Sequence, residues 1–500
     1  MADDGWQAVS DGHHPLAMLY GLSSILLLGA ALRFHGLFAN SFHADEALFA
    51  SWARLIAVWR DPLLLTQAVD KPPLPFYLQA IFYPLFGPVE WAARMPAFIA
   101  SLLLIPLTAQ LARRLTGDRA AALPAAVFMA MSPLAIQFSA TAFIDPLLVF
   151  WLAAALYAAA APRSEATARY RGFLAGVLFG LALATKYQAF LFVPLLIGVG
   201  WLRGWGRREW LGGLAGVAVV LLPLLAWQWG RPGDLVALQW ANIGGIRPAR
   251  SWELWPRTVA TVQLWRLAMG WPLVALSAAV AGALLWDRRG RFRLAPMDSL
   301  LLLFVSGYVL LHWLWAVPMW DRYLLPILPL VAVLFGRAVA GLWSAVGRRW
   351  PGGFRGVVAG ALLVALLLLM PTALAARAGR FSIGGQPGAD GGASRVALLL
   401  KDAPYGTVLY DHWYSWQWQY QLFDDRVYVS WFPHADALVE DLAVFAGDGS
   451  PRYLVLPSAA AGDPVARQLS EKGYVLERVG GQDEAADMTL YRIVSGESAR

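Results

Sequence analysis

Residues 143–161 read FIDPLLVFWLAAALYAAAA, nineteen residues with a single charge, Asp145. A hydrocarbon core about 30 Å thick is crossed by about 20 predominantly apolar residues of helix, so this run is long enough to span a membrane. Ten further runs of the same kind occur at 16–37, 92–112, 120–138, 172–187, 189–202, 210–229, 266–286, 298–317, 323–343 and 356–376, which predicts about eleven transmembrane helices. The composition agrees. Across 500 residues 58% are hydrophobic, only 15% are charged, and mean hydropathy is +0.52. Soluble domains carry about 25% charged residues, and disordered, collagenous and coiled-coil chains are more polar still. The fold class expected is a polytopic α-helical membrane protein, because lipid requires every backbone polar group to be paired within the chain.

The chain has no cysteine, which excludes disulfides, zinc–thiolate and iron–sulfur sites and a thiol nucleophile. Its formal charge is +7 and its pI about 9.6. The excess is arginine in the short links after alternate runs, with Arg113, Arg171, Arg203, Arg288 and Arg348 among them. Such links face the cytoplasm, so the basic balance reads as membrane orientation and no nucleic-acid partner is expected. This sidedness puts the N-terminus inside and places 38–91, 230–265 and everything after 380 outside. The N-terminal MADDGWQAVSDGHH is acidic where a cleavable signal is basic. Beyond the Gly-rich stretch 379–394, the runs TVLY, RVYVSW, RYLVLP, YVLERV and MTLYRIV alternate with helix-like HADALVEDLAVF and DPVARQLSEKG. That alternation predicts a small external α/β domain. The expected organisation is a membrane domain over 1–380, with external loop 38–91, and a soluble domain over 381–500.

Chemistry is sought where polar residues interrupt this pattern. Asp45 and Glu46 are adjacent acids just after the first run, in HADEALFA. They suit either a helix N-terminus or a site. Asp70 and Lys71 precede Pro72, Pro73 and Pro75. Three prolines forbid regular helix and fix the backbone, making this a rigid turn between helices or a phosphate or metal station. Asp145 is either the start of a helix whose next residue is proline or a functional acid. Only four lysines occur, Lys71, Lys186, Lys401 and Lys472, against arginine elsewhere. The two in the membrane half fall at external ends of runs, either snorkelling or facing one anionic ligand. Asp321 and Arg322 form either a mutual ion pair or part of the same site. His312 is expected to be packed or hydrogen-bonded. The aromatic stretch Tyr410–Tyr420 suits an interface or domain packing, with a substrate contact as the second reading. The sequence carries no P-loop, G-x-G-x-x-G after a strand, D-x-D, G-x-S-x-G or H-E-x-x-H motif. No nucleotide cofactor is therefore expected, and a donor used outside must be membrane-borne.

HADEALFA, VDKPPLPFYL, ARMPA, FIDPLL and ATKYQAFLFVP, in this order and on one side, resemble the GT-C superfamily of membrane glycosyltransferases. Within it the sequence is similar to the protein O-mannosyltransferases, the aminoarabinose transferases of lipid A and the lipopolysaccharide galacturonosyltransferases. The resemblance covers roughly residues 16–345. It implies a multi-pass inner-membrane enzyme with its active site and C-terminal domain periplasmic. It implies inverting transfer of a hexosyl or pentosyl group from a polyprenyl-phosphate donor to a lipid, glycan or protein acceptor, often with a divalent cation such as Mg or Mn. By the same resemblance Asp45 is the general base, Glu46 and Asp70 order the site or hold the metal, and Asp145 is a second acid. Lys71 and Lys186 hold the donor phosphate. Aminoarabinose transferases carry an arginine shortly after the acidic pair, where this chain has Leu48 and Phe49; Arg322 is the compensating candidate. Two other classes remain. A lipid or lipid-linked-sugar flippase would place charges near mid-membrane, and a non-catalytic envelope scaffold would tolerate changes at the acids and lysines.

Overall fold

The structure is a computed structural model that describes residues 5–162, 165–230, 247–286, 294–315, 321–349, 354–457, 464–480 and 487–495. Arg163, the link with Arg288, Arg289, Arg291 and Arg293, and 231–246 of the expected external segment lie outside the described residues. The chain forms two compact units, one of Met1–Ala39 with Leu55–Ile383 and one of Asn40–Arg54 with Gly384–Arg500. The segment 40–54, within the expected external loop 38–91, groups with the C-terminal residues.

The first unit is helical. Among the described residues seven helices are long and apolar enough to cross a membrane, and an eighth span is possible across the bent pair Arg119–Met131 and Pro133–Ser139. The expected runs 143–161, 172–187 and 189–202 appear as shorter apolar helices, Asp145–Ala159, Tyr170–Thr185 and Tyr187–Leu202. Full spanning length is thus reached by seven or eight of the eleven, and the chain is a multi-pass membrane protein.

The helices of this unit are α1 (Gly5–Ala39), α3 (Leu74–Ala80), α4 (Tyr83–Phe86), α5 (Glu90–Thr116), α6 (Ala122–Met131), α7 (Pro133–Ser139), α8 (Asp145–Ala159), α9 (Glu165–Thr185), α10 (Val193–Leu202), α11 (Arg207–Trp229), α12 (Ser251–Trp286), α13 (Pro296–Leu314), α14 (Leu328–Arg349) and α15 (Phe354–Arg377). Between α1 and α3 lies α2 (Ala44–Ala57), most of which belongs to the other unit.

Local sequence explains the interruptions. Helices α6 and α7 meet at 58° because Pro133 ends the α6 ladder. The carbonyls freed at the break are taken by buried Arg33, whose guanidinium donates to Met129 O at 2.8 Å and Ala130 O at 3.0 Å. In α12 the break is at Gly270, whose φ of 68° precedes Pro272. A Cβ there would stand 2.3 Å from Leu369 Cδ1, so glycine is required both for conformation and for space. Helices α9 and α11 pack backbone to backbone: a Cβ on Gly176 would lie 2.1 Å from Gly213 O. Small residues allow this approach, and in lipid close van der Waals packing is what holds helices together.

The second unit contains a five-stranded sheet: β1 (Val408–Asp411), β2 (Tyr428–Trp431), β3 (Arg452–Pro457), β4 (Tyr474–Arg478) and β5 (Met488–Ser495), in the order β2-β1-β3-β5-β4. β1 runs parallel to both β2 and β3, and β5 is antiparallel to β3 and β4. All five strands fall on the β-branched and aromatic runs. Alternation along β1 and β3 divides two cores. Leu409 and Val455 face one side with α16 (Ala393–Leu400) and α17 (Ser415–Gln421), while Tyr410, Leu454 and Leu456 face the other with α18 (Ala435–Val444) and α19 (Pro464–Glu471). This three-layer arrangement is the expected α/β domain.

Candidate active site

In the helical unit the site is built on two helix ends. Asp145 begins α8, where the dipole favours an acid, with Pro146 beside it in the first turn. Lys186 follows the last residue of α9, its N–H closing that helix on Ala182 O at 2.9 Å. A cation is favoured there for the opposite reason. The two side chains meet at 2.6 Å between Lys186 Nζ and Asp145 Oδ1, with 12% and 2% of their side-chain surfaces exposed. Asp145 takes the helix-start position expected of it, while Lys186 is buried in an ion pair and does not snorkel. Each suits its helix end, and together they form a buried ion pair.

Around the pair are aromatic faces and further charges. Lys186 Nζ lies 4.7 Å from the ring centre of Tyr323, within cation–π range. Tyr323 O accepts the Tyr308 hydroxyl at 2.8 Å, and Gln188 donates to that hydroxyl in turn. His312 sits beside Tyr308, its Nδ1 2.9 Å from Tyr308 O, which is the packed role expected of it. Arg322 lies 4.9 Å from the Phe143 ring and takes Asp321 Oδ1 on its own N–H at 2.7 Å. The charges of both Arg322 and Lys71 act on Lys186.

Lys71 pairs with Asp70 in the rigid turn, both about one quarter exposed. The prolines lead directly into α3, with Pro73 as its N-cap and Pro75 in its first turn. From α3, buried Gln79 donates to Ala142 O at 3.0 Å, which ties this turn to the loop entering Asp145. Gln79 and Tyr308 carry no charge and sit within apolar helices, so charge and motif reading passes over them. The ARMPA motif has a structural part: Arg94 is wholly buried and donates to Leu37 O at 3.3 Å, at the end of α1.

Asp45 and Glu46 belong to the other unit, in the first turn of α2. Glu46 is completely buried and its Oε2 accepts the His43 N–H at 2.9 Å. It therefore caps its own helix. Asp45 is half-buried, and its N–H is taken by His43 Nδ1 at 3.2 Å. The adjacent acids thus differ: the Glu46 carboxylate closes the cap on His43, and Asp45 is the less buried of the two. As metal ligands, Glu46 and Asp70 are each engaged with protein groups, and among the described residues no three His, Cys, Asp or Glu side chains cluster as a metal site. Neither Glu46 nor Asp70 is thus part of an assembled cation-binding cluster among the described residues.

A family model described as dolichyl-phosphate-mannose-protein mannosyltransferase matches residues 70–227, the stretch that holds Asp70, Lys71, Asp145 and Lys186. An undecaprenyl phosphate-α-4-amino-4-deoxy-L-arabinose arabinosyl transferase of Pseudomonas paraeruginosa is 30% identical over 194 residues, 37% of this chain and 35% of that protein. The chain therefore matches about a third of that relative's length. A putative mannosyltransferase of Bacillus subtilis is 34% identical over 131 residues, 26% of this chain and 19% of its own. Among solved structures, ArnT from Cupriavidus metallidurans bound to undecaprenyl phosphate superposes with a TM-score of 0.65, covering 95% of this chain and 97% of that one at 16% identity. The Archaeoglobus fulgidus oligosaccharyltransferase in its apo form gives 0.55, covering 92% and 73%, also at 16% identity. The chain accordingly has the fold of these two solved structures.

Proposed function

We propose that this protein is a glycosyltransferase that moves one sugar from a polyprenyl-phosphate donor to an acceptor hydroxyl by inverting transfer. The observation that carries the reading is the buried Lys186–Asp145 pair with Lys71 and Arg322 acting on it. An ammonium has three protons. One is engaged by Asp145, and the remaining positions suit phosphate oxygens. The similarity to a transferase named for its undecaprenyl-phosphate sugar supports this donor class.

The reaction is an in-line displacement at the anomeric carbon. Asp45 takes the acceptor hydroxyl proton, the acceptor oxygen bonds to that carbon, and the bond from the carbon to the phosphate oxygen breaks. Polyprenyl phosphate leaves with the bonding electron pair, its growing charge held by Lys186, Lys71 and Arg322. Phosphate is already a good leaving group, so one base and a cationic cradle are sufficient. Asp145 keeps Lys186 charged and aimed. We assign the protein to the inner membrane, with Asp45 and the C-terminal unit periplasmic, from the arginine distribution of the short links. The acceptor is a lipid, glycan or protein hydroxyl of the envelope.

The test is transfer of radiolabel from a panel of polyprenyl-phosphate hexoses and pentoses to membrane lipids and glycans by purified protein. Label must move with wild type and not with Lys186→Met. Transport of a lipid-linked sugar without covalent transfer would establish a flippase instead.

A further inference from the structure

We propose that the C-terminal unit holds the general base in place, with Gln417 as a positioning residue that acts through the N-terminus of α2. This rests on the reading of Asp45 as the base. It goes beyond that reading by giving the soluble domain a part in the reaction.

The acid segment is built into the C-terminal unit at every turn. Asn40 donates to Gly385 O, and Ser41 Oγ accepts the Asp390 N–H at 3.3 Å. Phe42 is wholly buried, its ring 4.9 Å from that of Tyr420 and its carbonyl taken by Gln417 Nε2 at 2.9 Å. At the other end of the segment Arg54 donates to Tyr420 O at 3.0 Å, lies 4.1 Å from the Phe423 ring and pairs with Asp424. The helix that carries Asp45 is therefore fixed at both ends by α17 and the residues just after it.

Helix α17 is itself fixed to the sheet. Asp411, the last residue of β1, is fully buried and accepts from Trp413 N at 3.1 Å, Tyr414 N at 2.8 Å and Ser415 Oγ at 3.1 Å. These bonds set the start of α17, two residues before Gln417. Burial raises the Asp411 carboxyl pKa, and the hydrogen bonds from Tyr414, Trp413 and Ser415 oppose that rise. The path is short: β1 sets Asp411, Asp411 sets α17, Gln417 holds the Phe42 carbonyl, and the next residue is His43. His43 makes both ends of the α2 cap, donating its N–H to Glu46 and accepting the Asp45 N–H. A shift at Phe42 therefore passes through one residue to the base. Displacing a reacting group by about 1 Å costs on the order of 10²-fold in rate, so loose docking at this point is enough to be felt.

The test uses the full chain in lipid nanodiscs with Gln417→Ala. Hydrogen exchange is followed in peptides covering 40–50, alongside transfer kinetics. The expected result is faster exchange in 40–50, unchanged exchange in α5 and α8, and a fall in kcat of about tenfold or more with the donor KM unchanged. Added to Asp45→Asn, the substitution lowers transfer no further, because both act on the same group. Asp424→Asn, at a side chain 72% exposed, leaves folding intact and gives a smaller rise in exchange confined to the end of α2 near Arg54. Unchanged exchange in 40–50 with Gln417→Ala would overturn the proposal, as would a defect confined to donor KM. If wild type transfers from no donor, the enzymatic reading fails. The exchange arm still decides whether Gln417 docks the acid segment.

Discussion

Among the described residues of the helical unit, two buried ion pairs bracket α9, and their surroundings differ. Near the start of the helix, Arg171 meets Glu209 at 2.9 Å with side chains 2% and 4% exposed. Its guanidinium also donates to Ala161 O at 3.0 Å, and Glu209 Oε2 accepts the Gly206 N–H at 2.9 Å, capping α11. This pair lies where α9 and α11 are in backbone contact, since a Cβ on Gly172 would stand 2.1 Å from Glu209 O. These partners lie at or just beyond neighbouring helix ends. At the other end of α9, Lys186 meets Asp145, but the surroundings are an aromatic face and two more cations. Arginine's rigid fork suits a fixed set of acceptors, whereas a lysine ammonium is a compact charge that accepts new partners. Burial of charge alone therefore does not distinguish the two pairs; their surroundings do, and on these the proposed donor station rests.

The largest effect expected is from the base. Asp45→Asn reduces transfer on the order of 10²- to 10⁴-fold, the usual range for general base catalysis. Polyprenyl-phosphate binding, measured by equilibrium dialysis of labelled carrier lipid, stays intact. Next, the two pairs are set against each other. Lys186→Met also leaves a buried carboxylate, Asp145, without its cation, but unlike Arg171→Met it lowers donor binding and transfer in the protein that remains folded. Arg171→Met leaves a buried carboxylate uncompensated, which costs about 3–5 kcal/mol. It lowers the thermal unfolding temperature in detergent while the protein that remains folded transfers at the wild-type rate. If Arg171→Met abolished turnover in folded protein, or Lys186→Met only unfolded it, the distinction would be wrong.

How much of this was legible in the sequence follows from what periodicity and charge report. The membrane class, the apolar helices, the five strands of the second unit and the charged residues near Lys186 all announce themselves by hydropathy or by rarity. Asp145 and Lys186 stand 41 positions apart in the chain, yet each marks an apolar run whose helix end then brings them together. Other features carry no such signal. Gln79 and Tyr308 are neutral and lie in apolar helices, so only tertiary contact shows their place. The grouping of 40–54 with the C-terminal unit depends on Gln417 and Arg54 contacts across more than 360 residues, which no local pattern encodes. Glu46 and Asp45 are indistinguishable by position, and only the cap on His43 separates them.

Two smaller effects sharpen the comparison. Gly176→Leu forces α9 and α11 apart at a contact with no room for a side chain, and lowers folded yield measured by size-exclusion chromatography without a donor-specific defect. Chelation of divalent cations leaves the transfer rate unchanged, because Glu46 and Asp70 are engaged by protein groups. A rate restored by added Mg or Mn after chelation would require a cation that the described residues do not assemble.

The central claim is that the Lys186–Asp145 pair is a donor-phosphate station. The most direct measurement is binding of labelled polyprenyl phosphate, lacking any sugar, to wild type, Lys186→Met and Arg171→Met in nanodiscs. The account predicts saturable binding by wild type and Arg171→Met and its loss in Lys186→Met. Equal binding by all three would contradict it.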